Sequence, residues 1–298
     1  MRRPVSGNLS LNARGFWHNL AELLEMIKIG HSVLALPFAF MGALLAARGL
    51  PDGRTLFFII VAMVGARSAA MAFNRLADAR FDAANPRTAD RALPAGKISR
   101  RATLLFIGVS AVLFMGAAAQ LNRVCFALSP VALLVILGYS LTKRFTSATH
   151  LVLGLSLGLA PIGGWLAVRG DLSLSVLVLA GAVLFWVAGF DVLYALQDEE
   201  FDRRVGLFSL PAWVGAIWAR RLASLCHLAA VLGFAVTGRL AGLGPIYAGA
   251  VAVSSLILLV QHLLLSVRER QSLPPAFFTL NGLVGLGLGL ATWISLAV

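Results

Sequence analysis

Residues Arg67 to Gly96 read RSAAMAFNRLADARFDAANPRTADRALPAG, a stretch that begins inside an apolar run and ends in a basic, proline-containing loop. Asn74, Asp78 and Asp82 follow one another at intervals of four. On a helix each step of four advances the side chain by only about 40°, so the three share one face. A carboxylate at the centre of a bilayer costs roughly 2.5–3.5 kcal/mol on insertion scales, and intramembrane acids mark function more often than packing. These three stand at the membrane-exit end of their run, where water and a cation can reach them.

The second half repeats the device. Phe190 to Gly206 reads FDVLYALQDEEFDRRVG, again closing a long apolar run, with Asp198 and Asp202 at the same spacing. Tyr194 takes the place of Asn74, and Asp191 lies three residues further back. Carboxylates from two such helices would repel one another unless divalent cations lay between them. Oxygen-only ligands suit Mg²⁺, which keeps several waters and shares its shell with substrate phosphates. Paired acidic motifs therefore read as a Mg²⁺–diphosphate clamp.

Composition sets the surroundings. Of 298 residues 59% are hydrophobic and 13% charged, with a mean hydropathy of +0.86. That fits an all-α integral membrane protein folded as one domain over residues 1–298. Asn8–Glu25 has apolar residues at helical spacing and reads as an interfacial segment within 1–25. Nine spans are expected after it, at 29–47, 55–73, 102–119, 124–141, 151–168, 172–195, 222–238, 242–267 and 276–298. Motif-bearing loops occupy 67–101 and 190–211. The N-terminal segment and the even-numbered loops hold 19 of the 25 Lys and Arg residues. The positive-inside rule then puts the N-terminus and both acidic motifs on the cytoplasmic side, so the loops cap the bundle there. The formal net charge of +12 is explained by these short loops and by anionic headgroups, with no nucleic acid partner. Cys125 and Cys226 lie in apolar runs and read as packing residues.

Basic residues complete the expected site. Arg87, Arg91 and Lys97 follow the first motif, and guanidinium forks suit phosphate oxygens. Tyr139, Lys143 and Arg144 end the fourth run within reach of phosphate, with Lys143 and Arg144 candidates for diphosphate and Tyr139 for the acceptor; a plain cluster of inside-loop charge is the alternative. Arg67, deep in its run on the Asn74 face, needs a phosphate, a carboxylate or a salt-bridge partner. Asp191 and Tyr194 sit deeper than the metal ligands, placed to orient or deprotonate an acceptor hydroxyl. A pair that only ties helices together is the plainer alternative. Lys28 and His31, at the first span, are candidates for binding an acidic acceptor or for anchoring at the interface. His150, His227 and His262 lack metal-ligand spacing and read as structural, and Glu199 and Glu200 as solvent-facing.

At these residues the chain resembles the UbiA family of intramembrane aromatic prenyltransferases. The likeness rests on N-R-x-x-D-x-x-x-D with R-T-x-x-R-x-L-P-x-G, on Y-x-x-x-K-R at Tyr139–Arg144, and on D-x-x-Y-x-x-x-D-x-x-x-D. It implies nine helices around a central cavity with a lateral opening to lipid. It also implies that Asn74, Asp78, Asp82, Asp198 and Asp202 hold two Mg²⁺ on a polyprenyl diphosphate, whose prenyl group passes to an aromatic acid of the 4-hydroxybenzoate type in ubiquinone or menaquinone biosynthesis. The stretches EMIKIGHSVLALPFAF (Glu25–Phe40) and DRRVGLFSLP (Asp202–Pro211) are more similar to the branch associated with the futalosine route, whose acceptor is 1,4-dihydroxy-6-naphthoate. Haem, as in other members of the family, is a further acceptor class. A transporter would place its ligands near the midplane with access to both faces, unlike acids gathered at one end.

Overall fold

The computed structural model describes residues 35–267 and 276–298, and their secondary structure is helical. Ten α-helices follow in order: α1 (Leu36–Ala47), α2 (Gly53–Ala84), α3 (Arg100–Leu121), α4 (Arg123–Thr142), α5 (Thr149–Arg169), α6 (Leu174–Ala195), α7 (Glu199–Val205), α8 (Leu210–Ala241), α9 (Pro245–Val267) and α10 (Ala276–Ala297). Eight segments are long and apolar enough to cross a membrane, while α1 is a shorter apolar helix. The chain is a multi-pass integral membrane protein. Each of the nine expected spans falls on one of these helices, but the start of the first, with Lys28, His31 and the 1–25 segment, lies outside the described residues.

Local signals set the helix starts. Asp52, Ser99, Asn122, Ser173 and Ser209 each accept a bond from a backbone N–H in the first turn of the helix that follows, satisfying donors that have no intrahelical partner. Helix neighbours run α1–α5–α6–α8–α9–α10 and back to α1, with α2, α3 and α4 closing a second arc onto α5. Large apolar side chains fill the first ring, where Phe38 packs on Trp186 with ring centroids 5.1 Å apart and on Phe234 at 6.0 Å. Outward-facing Leu105, Val112 and Leu134 are exposed, as suits a surface bathed in lipid.

Where α1 crosses α5 the backbones nearly touch. A Cβ on Gly164 would strike the carbonyl of Ala39, and one on Gly42 that of Pro161. Small residues at such crossings let membrane helices pack by van der Waals contact without a hydrophobic driving force.

Two elements differ from expectation. The seventh span, expected from residue 222, begins twelve residues earlier: α8 starts at Leu210 behind its Ser209 cap and is broken at Gly215 (φ 78°, ψ 162°). The added part is amphipathic. Trp213, Ile217 and Trp218 are exposed, and Arg221 lies 4.7 Å over the Trp218 ring, a combination suited to an interface. The second acidic motif also does not ride one continuous helix. It passes from α6 through a 3₁₀ turn at Leu196–Asp198 into α7, and Gln197 Nε2 bonds the Tyr194 carbonyl within the turn.

Candidate active site

A cavity of about 620 Å³ runs between the two arcs of helices. One end is apolar, with Ile59, Met63, Phe114, Leu121 and Leu128 among its lining; the other gathers the acids and bases singled out above. Asn74, Asp78, Asp82, Asp191, Tyr194, Asp198 and Asp202 all line it, as do Arg67, Arg87, Arg91, Tyr139 and Lys143. The two motifs, far apart in sequence, thus meet on one side of one chamber.

Helix α2 supplies the first set. Asp78 Oδ2 accepts from Lys143 Nζ at 2.7 Å and from Asn74 Nδ2 at 3.2 Å. Arg144 lies 3.6 Å from Asp78 Oδ1 and donates at 2.7 Å to the Ala77 carbonyl. Asp82 Oδ1 accepts from Arg91 Nη1 at 2.7 Å. Both carboxylates are buried, and among the described residues Asp78 Oδ1 and Asp82 Oδ2 accept no hydrogen bond. Unpartnered buried carboxylate oxygens are costly, and a divalent cation is the ligand that offsets that cost. The donor set therefore fits Mg²⁺. Among the described residues no three acidic, histidine or cysteine groups already converge as a preformed metal cage, because basic side chains hold the carboxylates.

The loop after α2 ties the two halves together. Asn85 caps α2, and its Nδ2 donates at 3.1 Å to Asp198 Oδ1 while its Oδ1 accepts from the Arg87 backbone. Arg87 forks onto both oxygens of Asp198 and donates at 3.0 Å to the Tyr194 hydroxyl. Burial opposes the Arg87 charge, but the hydrogen bond to Asp198 and the neighbouring negative charge outweigh it and raise the pKa above the usual guanidinium value. The second loop docks through the backbone, with Phe208 N–H donating at 2.7 Å to the Lys143 carbonyl.

Several expectations need revision. Asp191 does not pair with Tyr194. It accepts a 2.7 Å bond from His150, whereas Tyr194 is held by Arg87 and by ring contact with Phe278. His150, read as merely structural, lines the cavity. Lys97 is exposed and is not among the lining residues, nor is Arg144. Glu199 is buried and bonded to Arg203, while Glu200 is exposed. Among the described residues Arg67 forms no ion pair, and its buried Nε has no hydrogen-bond partner there. Arg75, which lies within the first motif but was not among the expected site residues, and Asn85 also line the cavity. Arg75 directly follows Asn74 in the motif, which is the signal that could have flagged it.

Known proteins share this architecture. A profile described as "UbiA prenyltransferase family" matches residues 35–283. A 4-hydroxybenzoate octaprenyltransferase of Vibrio cholerae is 31% identical over 288 residues, covering 95% of this chain and 99% of the relative. One of Methylobacillus flagellatus is 35% identical over 244 residues, 81% of each. The structure of a UbiA homologue from Aeropyrum pernix K1 superposes with a TM-score of 0.81 at 35% identity, covering 89% of this chain and 98% of that one. A UbiA homologue from Archaeoglobus fulgidus, solved bound to GPP and Mg²⁺, shares the fold at 17% identity, with a TM-score of 0.68 over 93% of this chain and its whole length. Running from the first described helix into the last and taking in both acidic motifs, the match makes this chain a member of the UbiA prenyltransferase family.

Proposed function

We propose that this prenyltransferase moves a polyprenyl group from a polyprenyl diphosphate to a small aromatic acid, in the inner membrane and with Mg²⁺ as cofactor. One observation carries the reading: Asp78 and Asp198 line the same chamber, Asp78 held by Lys143 and Asp198 by Asn85 and Arg87 of the loop that follows α2. The headgroup belongs at that end and the isoprenoid chain along the apolar lining. Among the described lining residues five Arg and Lys face five Asp. A diphosphate entering so balanced a site brings excess negative charge that a divalent cation must offset.

Asn74, Asp78, Asp82, Asp198 and Asp202 would hold the metal, which when bound neutralises charge on the departing diphosphate. The present ion pairs are exchangeable, since the side chains of Arg87, Arg91 and Lys143 are about a third exposed at 34%, 28% and 30%. As the headgroup arrives, these cations turn from carboxylate to phosphate oxygens. They stabilise the charge that grows as the allylic C1–O bond breaks and its electron pair leaves with diphosphate. An electron-rich ring carbon ortho to the acceptor hydroxyl then bonds to C1, and Asp191 accepts the proton the ring system loses. Apolar walls that exclude water would protect the cationic C1 from hydrolysis.

Arg67 stands seven residues deeper than Asn74 on α2, roughly 10 Å along the axis. That is too far for the headgroup held at the motif, so we assign Arg67 to the acceptor's carboxylate rather than to diphosphate. The relatives named for 4-hydroxybenzoate favour that acceptor; the Asp202–Pro211 stretch favours 1,4-dihydroxy-6-naphthoate.

The test is purified enzyme in detergent with geranyl diphosphate and each acid in turn, following diphosphate release and prenylated product. Asp78→Ala and Asp198→Ala are expected to abolish transfer while the protein stays monodisperse. Full activity in either variant would refute the assignment.

A further inference from the structure

His150 is the second residue of α5 and is 4% exposed. Both of its ring nitrogens are engaged, and the two bonds together fix its tautomer. The Leu210 backbone N–H points at Nε2 at 3.2 Å, and an N–H can only be received by a lone pair, so Nε2 carries no proton. The proton is therefore on Nδ1, directed at Asp191 Oδ2 at 2.7 Å. Leu210 is the first residue of α8, straight after the Ser209 cap and the loop that follows Asp202. Its N–H is one of those that a helix start leaves without an intrahelical partner. His150 thus joins the end of the second acidic motif to the carboxylate proposed to receive the acceptor's proton.

We propose that His150 is the positioning residue of Asp191. Resting on the reading of Asp191 given above, it deepens that reading by naming what aims the carboxylate. An aspartate at the end of a single Cβ–Cγ bond can rotate. The Nδ1–H bond pins Oδ2 and so sets where the carboxylate faces the chamber, in the ionised form that can take a proton. The ring keeps its own proton throughout the reaction: the proton lost by the acceptor goes to Asp191, and His150 neither gives nor accepts one. Because the ring is also held by Leu210, the aim of Asp191 is registered to the start of α8, and so to the loop beside the diphosphate end.

Two substitutions separate the two bonds. Asn at 150 keeps a donor near the Nδ1 position and loses the Nε2 acceptor; Gln keeps an acceptor near Nε2 and loses the donor to Asp191. Each is compared with wild type and Asp191→Asn in detergent, using geranyl diphosphate with whichever of the two aromatic acids the enzyme prenylates. Asp191→Asn is expected to lower kcat by ~10²–10⁴, the usual worth of a positioned general base. His150→Gln should lower kcat at least tenfold with KM for geranyl diphosphate unchanged, whereas His150→Asn should keep kcat within a few-fold of wild type. In the double variant His150→Gln/Asp191→Asn, kcat should fall no further than in Asp191→Asn alone, because a residue acting through another adds nothing once that other is gone. Equal losses in the Asn and Gln variants, additive losses in the double variant, or unchanged kcat in His150→Gln beside an inactive Asp191→Asn would each overturn the role of His150 and leave that of Asp191 standing. Full kcat in Asp191→Asn would overturn both.

Discussion

Arg87 does two jobs with one planar group, gripping both oxygens of Asp198 and reaching the Tyr194 hydroxyl. A lysine there would bring the charge as a single point and could not keep the fork. Arg87→Lys is therefore expected to lose tenfold or more in kcat/KM for geranyl diphosphate while staying folded, and near wild-type values would remove Arg87 from the headgroup site. Arg67 should behave differently. Losing a charge-assisted hydrogen bond costs roughly 1.5–3 kcal/mol, so Arg67→Ala should raise KM for the aromatic acid about 10–100-fold and leave KM for the prenyl donor in place. The reverse pattern would return Arg67 to the diphosphate. At this scale the sequence was legible wherever residues on one helix share a face, as Asn74, Asp78 and Asp82 do. It was not legible for His150, whose partner Asp191 lies 41 positions away on another helix; no local spacing announces such a bond. Glu199 was misread for a related reason, since the 3₁₀ turn at Leu196–Asp198 resets the helical phase and turns that side chain inward.

Helices constrain the site through their crossings. A Cβ at Gly164 has no room against the Ala39 backbone, and backbone cannot swing away as a flexible side chain can. Gly164→Val should thus cost roughly 1–3 kcal/mol or more of overpacking, seen as a lower thermal midpoint and loss of monodisperse protein in detergent. A wild-type midpoint would mean that α1 and α5 can separate freely. Gly215 is the other sensitive point, since φ 78° with ψ 162° is open in practice to glycine alone. Hydropathy found the apolar middle of each long helix but neither the short, charged α7 nor the start of α8, where charged and aromatic residues alternate on an interfacial face. Such a segment is too polar for a span and too ordered for a loop, so it was missed by a method that recognises only those two.

For the whole molecule, placing both acidic motifs at one end of the chamber makes a claim about sidedness. The ion pairs show that the ends of α2 and α6 share an end of the bundle; from the loop charge we propose that this end faces the cytoplasm. Single cysteines test it, in a background where Cys125 and Cys226 are replaced by serine. Lys97 and Glu200, both exposed beside the motifs, should react as cysteines with a membrane-impermeant maleimide only in inside-out vesicles. Asp52 and Asp171, exposed at the opposite helix ends, should react only in right-side-out vesicles. Should Lys97→Cys and Glu200→Cys label from opposite sides, the shared chamber itself would be wrong; should both label from outside, only the orientation would be. The distinction matters for supply. With the acids facing inward, a water-soluble aromatic acid and Mg²⁺ reach the polar end from the cytoplasm while the prenyl chain stays in the bilayer, so neither substrate has to cross the membrane to meet the other.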